Sequence, residues 1–201
     1  MEVVKLVVGV FEENCFLLIK DGFIAVIDPG ASYRKITAKI QEYENHQVCG
    51  ILLTHGHFDH IGAVDKLVKE YHCPVYACKD DERLLIDPEV NSLAGYWDVV
   101  HSKVTWIEDT TLKVGPFDFQ VIFTPGHTAG SVVFVIEDKV FSGDTLFYMS
   151  VGRTDLYSGS FNQLKQSLEK LKKLNPDYVV YSGHGPETTI GFELEHNYYM
   201  I

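Results

Sequence analysis

Residues 52 to 63 read "LLTHGHFDHIGA", and His55, His57, Asp59 and His60 fall within six positions of one another. The chain has nine histidines, so a third of them sit in this one stretch. Imidazole nitrogens and carboxylate oxygens without a thiolate match zinc as ligands, and they also accept iron or manganese. Three more candidates lie downstream, each just past an apolar run that ends in small residues. "VIFTPG" leads to His127, "VFSG" to Asp144 and "YVVYSG" to His184, as "ILLT" leads to His55. Residues at the ends of several strands are gathered at one edge of a sheet system, where loops set them on a rigid scaffold. Spacing sorts the first cluster. In an extended chain His55 and His57, two apart, project to one side and can grip one ion, while Asp59 and His60 face another. The two oxygens of Asp144 can each reach a different ion of a pair about 3.5 to 4 Å apart. His46, His72, His101 and His196 stand alone in the sequence and are read as surface or core residues.

The elements that must position these groups follow from patterning. "KLVVGVF", "CFLLIK" and "FIAVIDPG" are apolar and β-branched, with "DPG" as a turn. "SYRKITAKIQEYE" reads as a helix, with Ser32 as N-cap and Ile36, Ile40 and Tyr43 on one stripe. Residues 48 to 54, "VCGILLT", form a buried strand, a helix follows through "AVDKLVKEY", and "PVYAC" resumes strand character. A short helix is expected at "DERLLI" and a loop around Pro88 to Trp97. The second half repeats the plan. "FDFQVIFT", "SVVFVIED", "KVFSG" and "DYVVYSG" are strands, and "SFNQLKQSLEKLKKL" is a helix capped by Ser160 with Phe161, Leu164, Leu168 and Leu171 as its apolar stripe. Two similar halves predict two packed sheets with helices outside, and no linker divides the chain, so residues 1 to 201 are read as one domain.

Composition narrows the function classes. With 46% apolar and 22% charged residues in 201, the chain is an ordinary globular protein with a sizeable core. A net charge of −11 argues against nucleic acid, whose backbone is bound by neutralising phosphates with Lys and Arg. The basic run "KQSLEKLKK" has helical spacing and reads as a solvated face. The N-terminal "MEVVKLVVGVFEENC" is interrupted by charges and Gly9, so it reads as neither leader nor membrane span, and a cytoplasmic location is expected. Cys15, Cys49, Cys73 and Cys78 form no disulfide framework. Cys73 and Cys78, five apart on a strand, point to opposite faces and are read as packing residues.

"THGHFDH", "TPGHTAGS", "GDTLF" and "SGHGPET" resemble, in order, the successive motifs of the metallo-β-lactamase superfamily. That resemblance implies an α+β fold, the αββα sandwich of two mixed sheets face to face with helices outside. It also implies two divalent transition-metal ions, zinc first among the candidates. His55, His57 and His127 would hold the first, Asp59, His60 and His184 the second, and Asp144 would bridge. "GDTLFYMSVGRTDL" followed by "GHGPETTIGFELEHN" most resembles the short, bacterial glyoxalase II-like hydrolases, thioesterases associated with S-D-lactoyl conjugates of a carrier thiol. The chain departs from full-length glyoxalase II. It lacks that family's C-terminal helical region, has Arg153 where a glutathione-binding lysine tends to stand, and has Asp155 and Pro186 in place of tyrosines.

The expected chemistry is attack on a thioester carbonyl by hydroxide held between the ions, with Asp59 orienting it or accepting its proton. The substrate is expected to be a small-molecule thioester, with neither nucleic acid nor membrane as a partner. Arg153 has two readings: it pairs with Asp155 to hold its loop, or it binds an anionic carrier. The main rival is a persulfide dioxygenase with one iron on His55, His127 and Asp144, which "GRTD" also resembles. A flavodiiron-type reductase would have glutamate at His57, a β-lactamase with a cysteine ligand would have Cys at Asp144, and a noncatalytic module would have lost ligands.

Overall fold

The strand β2 (Glu13–Lys20) is buried along nearly its whole length, and strict alternation explains how. Phe16 and Leu18 turn to one face and Leu17 and Ile19 to the other, and each face meets its own apolar layer. The computed structural model, which describes residues 1–201, extends this rule through a four-layer αββα sandwich.

The first sheet contains β1 (Glu2–Val8), β2, β3 (Phe23–Ile27), β4 (Gln47–Leu52) and β5 (Val75–Cys78) in that order. The pairs β1–β2 and β2–β3 are antiparallel, whereas β3–β4 and β4–β5 are parallel. A parallel step needs a crossover. Helix α1 (Tyr33–Gln41) supplies the one between β3 and β4. The one-turn α2 (Phe58–Ile61) and α3 (Val64–Tyr71) supply the one between β4 and β5. Ile36 and Ile40 of α1 and Val64 and Leu67 of α3 pack on Leu17, Val26 and Ile51 at the outer face. Ser32 does not cap α1 through its side chain. It sits at φ 52 in the left-handed region, and its hydroxyl accepts from Gly9 N at 3.2 Å, tying the helix to the β1–β2 turn.

After β5 come α4 (Glu82–Ile86) and a small hairpin of β6 (Ser92–Leu93) and β7 (Tyr96–Trp97). The strand β8 (Val104–Ile107) then pairs in parallel with β5 and completes the first sheet. Cys73 packs in the outer layer and Cys78 between the sheets, as their odd spacing requires.

The second sheet is built from β9 (Thr111–Val114), β10 (Phe117–Phe123), β11 (Val132–Ile136) and β12 (Lys139–Gly143), joined by antiparallel pairs. The hairpin β13 (Leu146–Phe147) and β14 (Ser150–Val151) and helix α5 (Phe161–Leu171) precede β15 (Val179–Ser182), which pairs in parallel with β12. The edge strand β16 (Thr188–Thr189) leads into α6 (Ile190–His196). Leu164, Leu168 and Leu171 of α5 cover Val133, Val135 and Val140, and Ser160 caps the helix from Gln163 N. Phe161 departs from the expected stripe. It is 41% exposed because it precedes the turn that faces the sheet.

Between the sheets Phe16, Leu18 and Leu52 meet Phe117, Phe119, Phe134 and Phe141. Full burial of each such ring is worth about 1.5–3 kcal/mol, so this layer dominates the adhesion of the two halves. No helix of the chain is long and apolar enough to cross a membrane.

Candidate metal centre

Strand β4 ends at Leu52; the turn beyond it carries His55 and His57, and α2 carries Asp59 and His60. His127 lies past β10, Asp144 directly follows β12, and His184 lies past β15. The groups therefore come from the ends of strands in both sheets. Val132 N donates to Thr54 O at 2.8 Å, joining the exits of the two sheets, and Gly183 N donates to Gly143 O at 2.9 Å. Close packing requires the glycines before two of the groups. A Cβ at Gly143, which has φ +48, would lie 2.2 Å from Thr54 Oγ1, and one at Gly183 would lie 2.3 Å from Asp144 Oδ1.

All seven predicted residues are brought together. The ligand atoms of His55, His57 and His127 lie within 4.8 Å of one another, and so do those of Asp59, His60 and His184. Asp144 faces both trios. Its Oδ1 is 3.4 Å from His60 Nε2, while Oδ2 is 3.5 Å from His127 Nε2 and 3.7 Å from His184 Nε2. His57 Nδ1 is 2.9 Å from His127 Nε2. His46, His72, His101 and His196 belong to neither trio.

The outer nitrogens are held so that the inner ones point at the centre. Thr54 Oγ1 donates to Asp28 Oδ2 at 2.5 Å and accepts from His55 Nδ1 at 3.1 Å. His60 Nδ1 donates to Asp28 Oδ2 at 3.1 Å, His127 Nδ1 to the Arg153 carbonyl at 2.7 Å, and His184 Nδ1 to the Phe11 carbonyl at 3.1 Å. Each contact fixes a tautomer whose Nε2 lone pair faces inward. Sequence reasoning missed Asp28. It had a signal, since Asp28 ends the apolar strand "FIAVI" as the ligands end theirs, but the following "PG" made it read as a turn residue. Asp81 and Asn91 were also missed. Asp81 accepts from Gly56 N at 2.9 Å, Thr128 Oγ1 at 2.7 Å and Gly130 N at 2.7 Å, clamping the two histidine loops together. Asn91 Oδ1 accepts from Phe58 N at 2.9 Å, and its amide donates to Gly56 O at 2.8 Å. No motif announces either residue.

Arg153 stands at the mouth of the centre, with Phe11, Phe58, Leu93 and Leu156 around it. Its guanidinium forks onto Asp155 through Nε and Nη2, both at 2.7 Å. The pairing read from the sequence as one of two roles is thus formed, at an exposed position beside the site.

The donor set fits divalent cations. His55 Nε2, His60 Nε2 and Asp144 Oδ1 are buried with no hydrogen-bond partner in the protein. Leaving such an atom unpaired costs about 1–3 kcal/mol, which an ion at these converging lone pairs would recover. Burial, with His127 adding to it, pushes His57 down to about 3, and burial together with His60 and His127 lowers His55 well below its usual range. Both are therefore neutral imidazoles, the form that ligates. Burial acts upward on Asp144, but His60, by its charge and its hydrogen bond, outweighs it and holds the carboxyl well below the usual range. Burial also acts upward on Asp59, where His60 and His184 prevail and keep it ionised.

Comparison with known proteins agrees with this architecture. The model of the metallo-beta-lactamase superfamily matches residues 8–184, a span that contains all seven candidate ligands. The chain is 38% identical to the probable metallo-hydrolase YqgX of Bacillus subtilis, over 98% of this chain and 96% of that one. It is 34% identical to the hydroxyacylglutathione hydrolase GloC of Haemophilus influenzae, over 96% and 95%. Among solved structures, the B3 metallo-beta-lactamase BLEG-1 superposes with a TM-score of 0.94 at 36% identity, over 99% of each chain. The di-iron-bound form of TTHA1623 superposes at 0.89 and 36% identity, over 98% and 99%. With ligand motifs, sandwich and matched span in agreement, the chain belongs to the metallo-beta-lactamase superfamily.

Proposed function

We propose that this chain is a thioester hydrolase acting on S-D-lactoyl-type conjugates of a carrier thiol. In this reading two divalent ions are held by His55, His57 and His127 and by Asp59, His60 and His184, with Asp144 shared. The observation that carries it is the complete second trio beside the first, on the far side of Asp144. A centre with one iron on His55, His127 and Asp144 would leave His60 Nε2 buried without a partner. The similarity to GloC supports the thioester class. The match spans 95% of GloC, a hydroxyacylglutathione hydrolase, which keeps glutathione among the candidate carriers.

When bound, divalent ions lower the pKa of water and polarise a carbonyl. The chain's own residues do the rest. Asp59, ionised and 3.4 Å from His184 Nε2, is placed to accept a proton at its carboxylate. Asp28, the Arg153 carbonyl and the Phe11 carbonyl hold His60, His127 and His184 in register. Phe58, Leu93 and Leu156 give the mouth its apolar lining. Arg153 offers a cation to an anionic carrier, in competition with Asp155.

The test is metal analysis of protein purified without added metal, paired with assays of S-D-lactoyl thioester hydrolysis and of oxygen uptake with a persulfide. Two ions per chain and thioester turnover are expected; one iron and oxygen uptake would replace the hydrolase with the dioxygenase. The di-iron form of TTHA1623 makes iron a candidate metal beside zinc, so the metal's identity and its number per chain are both read. β-Lactams belong in the same panel, because BLEG-1 is a β-lactamase of similar chain length.

A further inference from the structure

Beside the centre runs a second groove of about 360 Å³, which meets the chemistry above only through Phe11, Phe58 and Asp59. Val8, Val10, Phe11, Phe58, Tyr96 and Trp97 supply its apolar lining, and Asp59 is among its polar lining residues. Phe11 packs edge-on against both Phe58 and Tyr96 with ring centroids 5.2 Å apart, so the β1–β2 turn and the β6–β7 hairpin form a single aromatic wall. Val10 is 70% exposed and Trp97 59%, an apolar surface left open to water next to reactive groups. Phe11, Phe58 and Asp59 also line the mouth over the ligands, so the groove adjoins the centre across these three residues. The groove's charged lining residues are Asp59 and Asp98; the mouth shares Asp59, adds Asp144, and holds the one cation of the two linings, Arg153.

These facts sort the two ends of a thioester. An anionic carrier finds a cation on the Arg153 side and none in the groove, while an uncharged apolar substituent gains by burial against the groove's aromatic wall. Resting on the thioester reading, we propose that the groove binds the acyl side of the substrate and selects 2-hydroxyacyl groups with an aromatic or branched apolar side chain over lactoyl. The volume suits such a group, since pockets for small molecules begin at roughly 300 Å³.

The test compares S-D-mandeloyl and S-D-lactoyl glutathione in the metal-loaded enzyme and in Val10→Asp, which introduces a carboxylate at an exposed turn position. A separate binding readout, independent of turnover, uses Trp97 fluorescence in a Trp106→Phe background titrated with phenylacetamide. A higher kcat/KM for the mandeloyl ester is expected, with the mandeloyl-to-lactoyl ratio falling at least about tenfold in Val10→Asp. Saturable phenylacetamide binding should weaken in the same variant. Equal kcat/KM values and an unchanged ratio in Val10→Asp would overturn the groove and leave the hydrolase standing. Phenylacetamide binding that Val10→Asp abolishes, with no thioester hydrolysed, would keep the groove as an apolar subsite and overturn the thioester reading. A concentration-dependent dimer that Val10→Asp dissociates would assign the face to a second copy of the chain and overturn the acyl site.

Discussion

Asp81→Ala tests the idea that one buried carboxylate holds both histidine loops. The side chain is 2% exposed and receives three donors, Gly56 N, Thr128 Oγ1 and Gly130 N, at 2.7 to 2.9 Å. Each hydrogen bond to a charged acceptor is worth about 1.5–3 kcal/mol, and its loss leaves a buried donor unpaired. Part of that is offset, because burial raises the Asp81 pKa despite the three donors, so its charge is itself unfavourable there. A net loss of about 3–5 kcal/mol follows, which in a chain of this length lowers Tm by roughly 6–20 °C. Asp81→Asn should fall between. Its carbonyl at the Oδ2 position keeps Gly56 N and Thr128 Oγ1, while its amide meets the Gly130 N–H donor to donor. Calorimetry of the metal-free protein gives the stability directly. Because Gly56 lies between His55 and His57 and Thr128 follows His127, affinity at the first trio should also drop about 10- to 100-fold. A metal-free Asp81→Ala protein within about 1 kcal/mol of the parent would refute the clamp, and unchanged metal affinity would confine Asp81 to folding.

Asp144→Ala should reduce metal occupancy at both trios, measured by elemental analysis after dialysis, since one carboxylate faces each; loss at a single trio would remove its shared role. His184→Ala should empty the second trio while the first retains its ion, and thioester turnover should fall by at least about 100-fold; an unaltered rate in verified, metal-loaded protein would take His184 out of the site. Asp155 has its carboxyl pulled down to about 2, first by its hydrogen bond from Arg153. A depressed pKa means the pair is fully formed above the ordinary aspartate value of about 3.9 and is lost as pH falls through about 2. An NMR titration should place the Asp155 midpoint near 2 in the parent and near the ordinary value in Arg153→Ala; equal midpoints would show that the fork does not persist in solution.

His55, His127, Asp144 and His184 were legible through one rule, a polar group just past an apolar run, and His57, Asp59 and His60 through their clustering beside His55. Cys73 and Cys78 were legible through parity alone. What escaped the sequence depends on partners far along the chain. Asp81 is one acidic residue among several in "CKDDERLL", and its role exists only because Gly130 and Thr128 arrive from the other half. Asn91 lies in a stretch with no periodicity, where a single side chain organises the backbone. The strands β8, β9, β13, β14 and β16 were not predicted, and the loop expected around Pro88 to Trp97 carries the β6–β7 hairpin; all of these strands are two to four residues long, too short for alternation to show. Ser32 failed as a cap for a related reason. A competing long-range donor, Gly9 N, captures the hydroxyl that a local rule assigns to the helix.

Neither half of the sandwich carries either of the two predicted trios alone. His55, His57, Asp59 and His60 leave the first sheet, while His127, Asp144 and His184 leave the second, and each trio draws on both. Trio geometry is therefore set by how the two sheets pack, and the contacts that cross between them are placed where a shift would separate the ligands. Thr54 O meets Val132 N one residue before His55, and Asn14 N meets Gly183 O one residue before His184. The phenylalanines between the sheets fix their separation, and these crossing hydrogen bonds fix their register at the working edge. Ions that bind only the folded arrangement must in turn stabilise it, by an amount set by their concentration over their dissociation constant. Metal affinity and sheet packing are thus two measures of one geometry, and a core substitution such as Phe141→Ala should weaken the centre even though Phe141 touches no ligand.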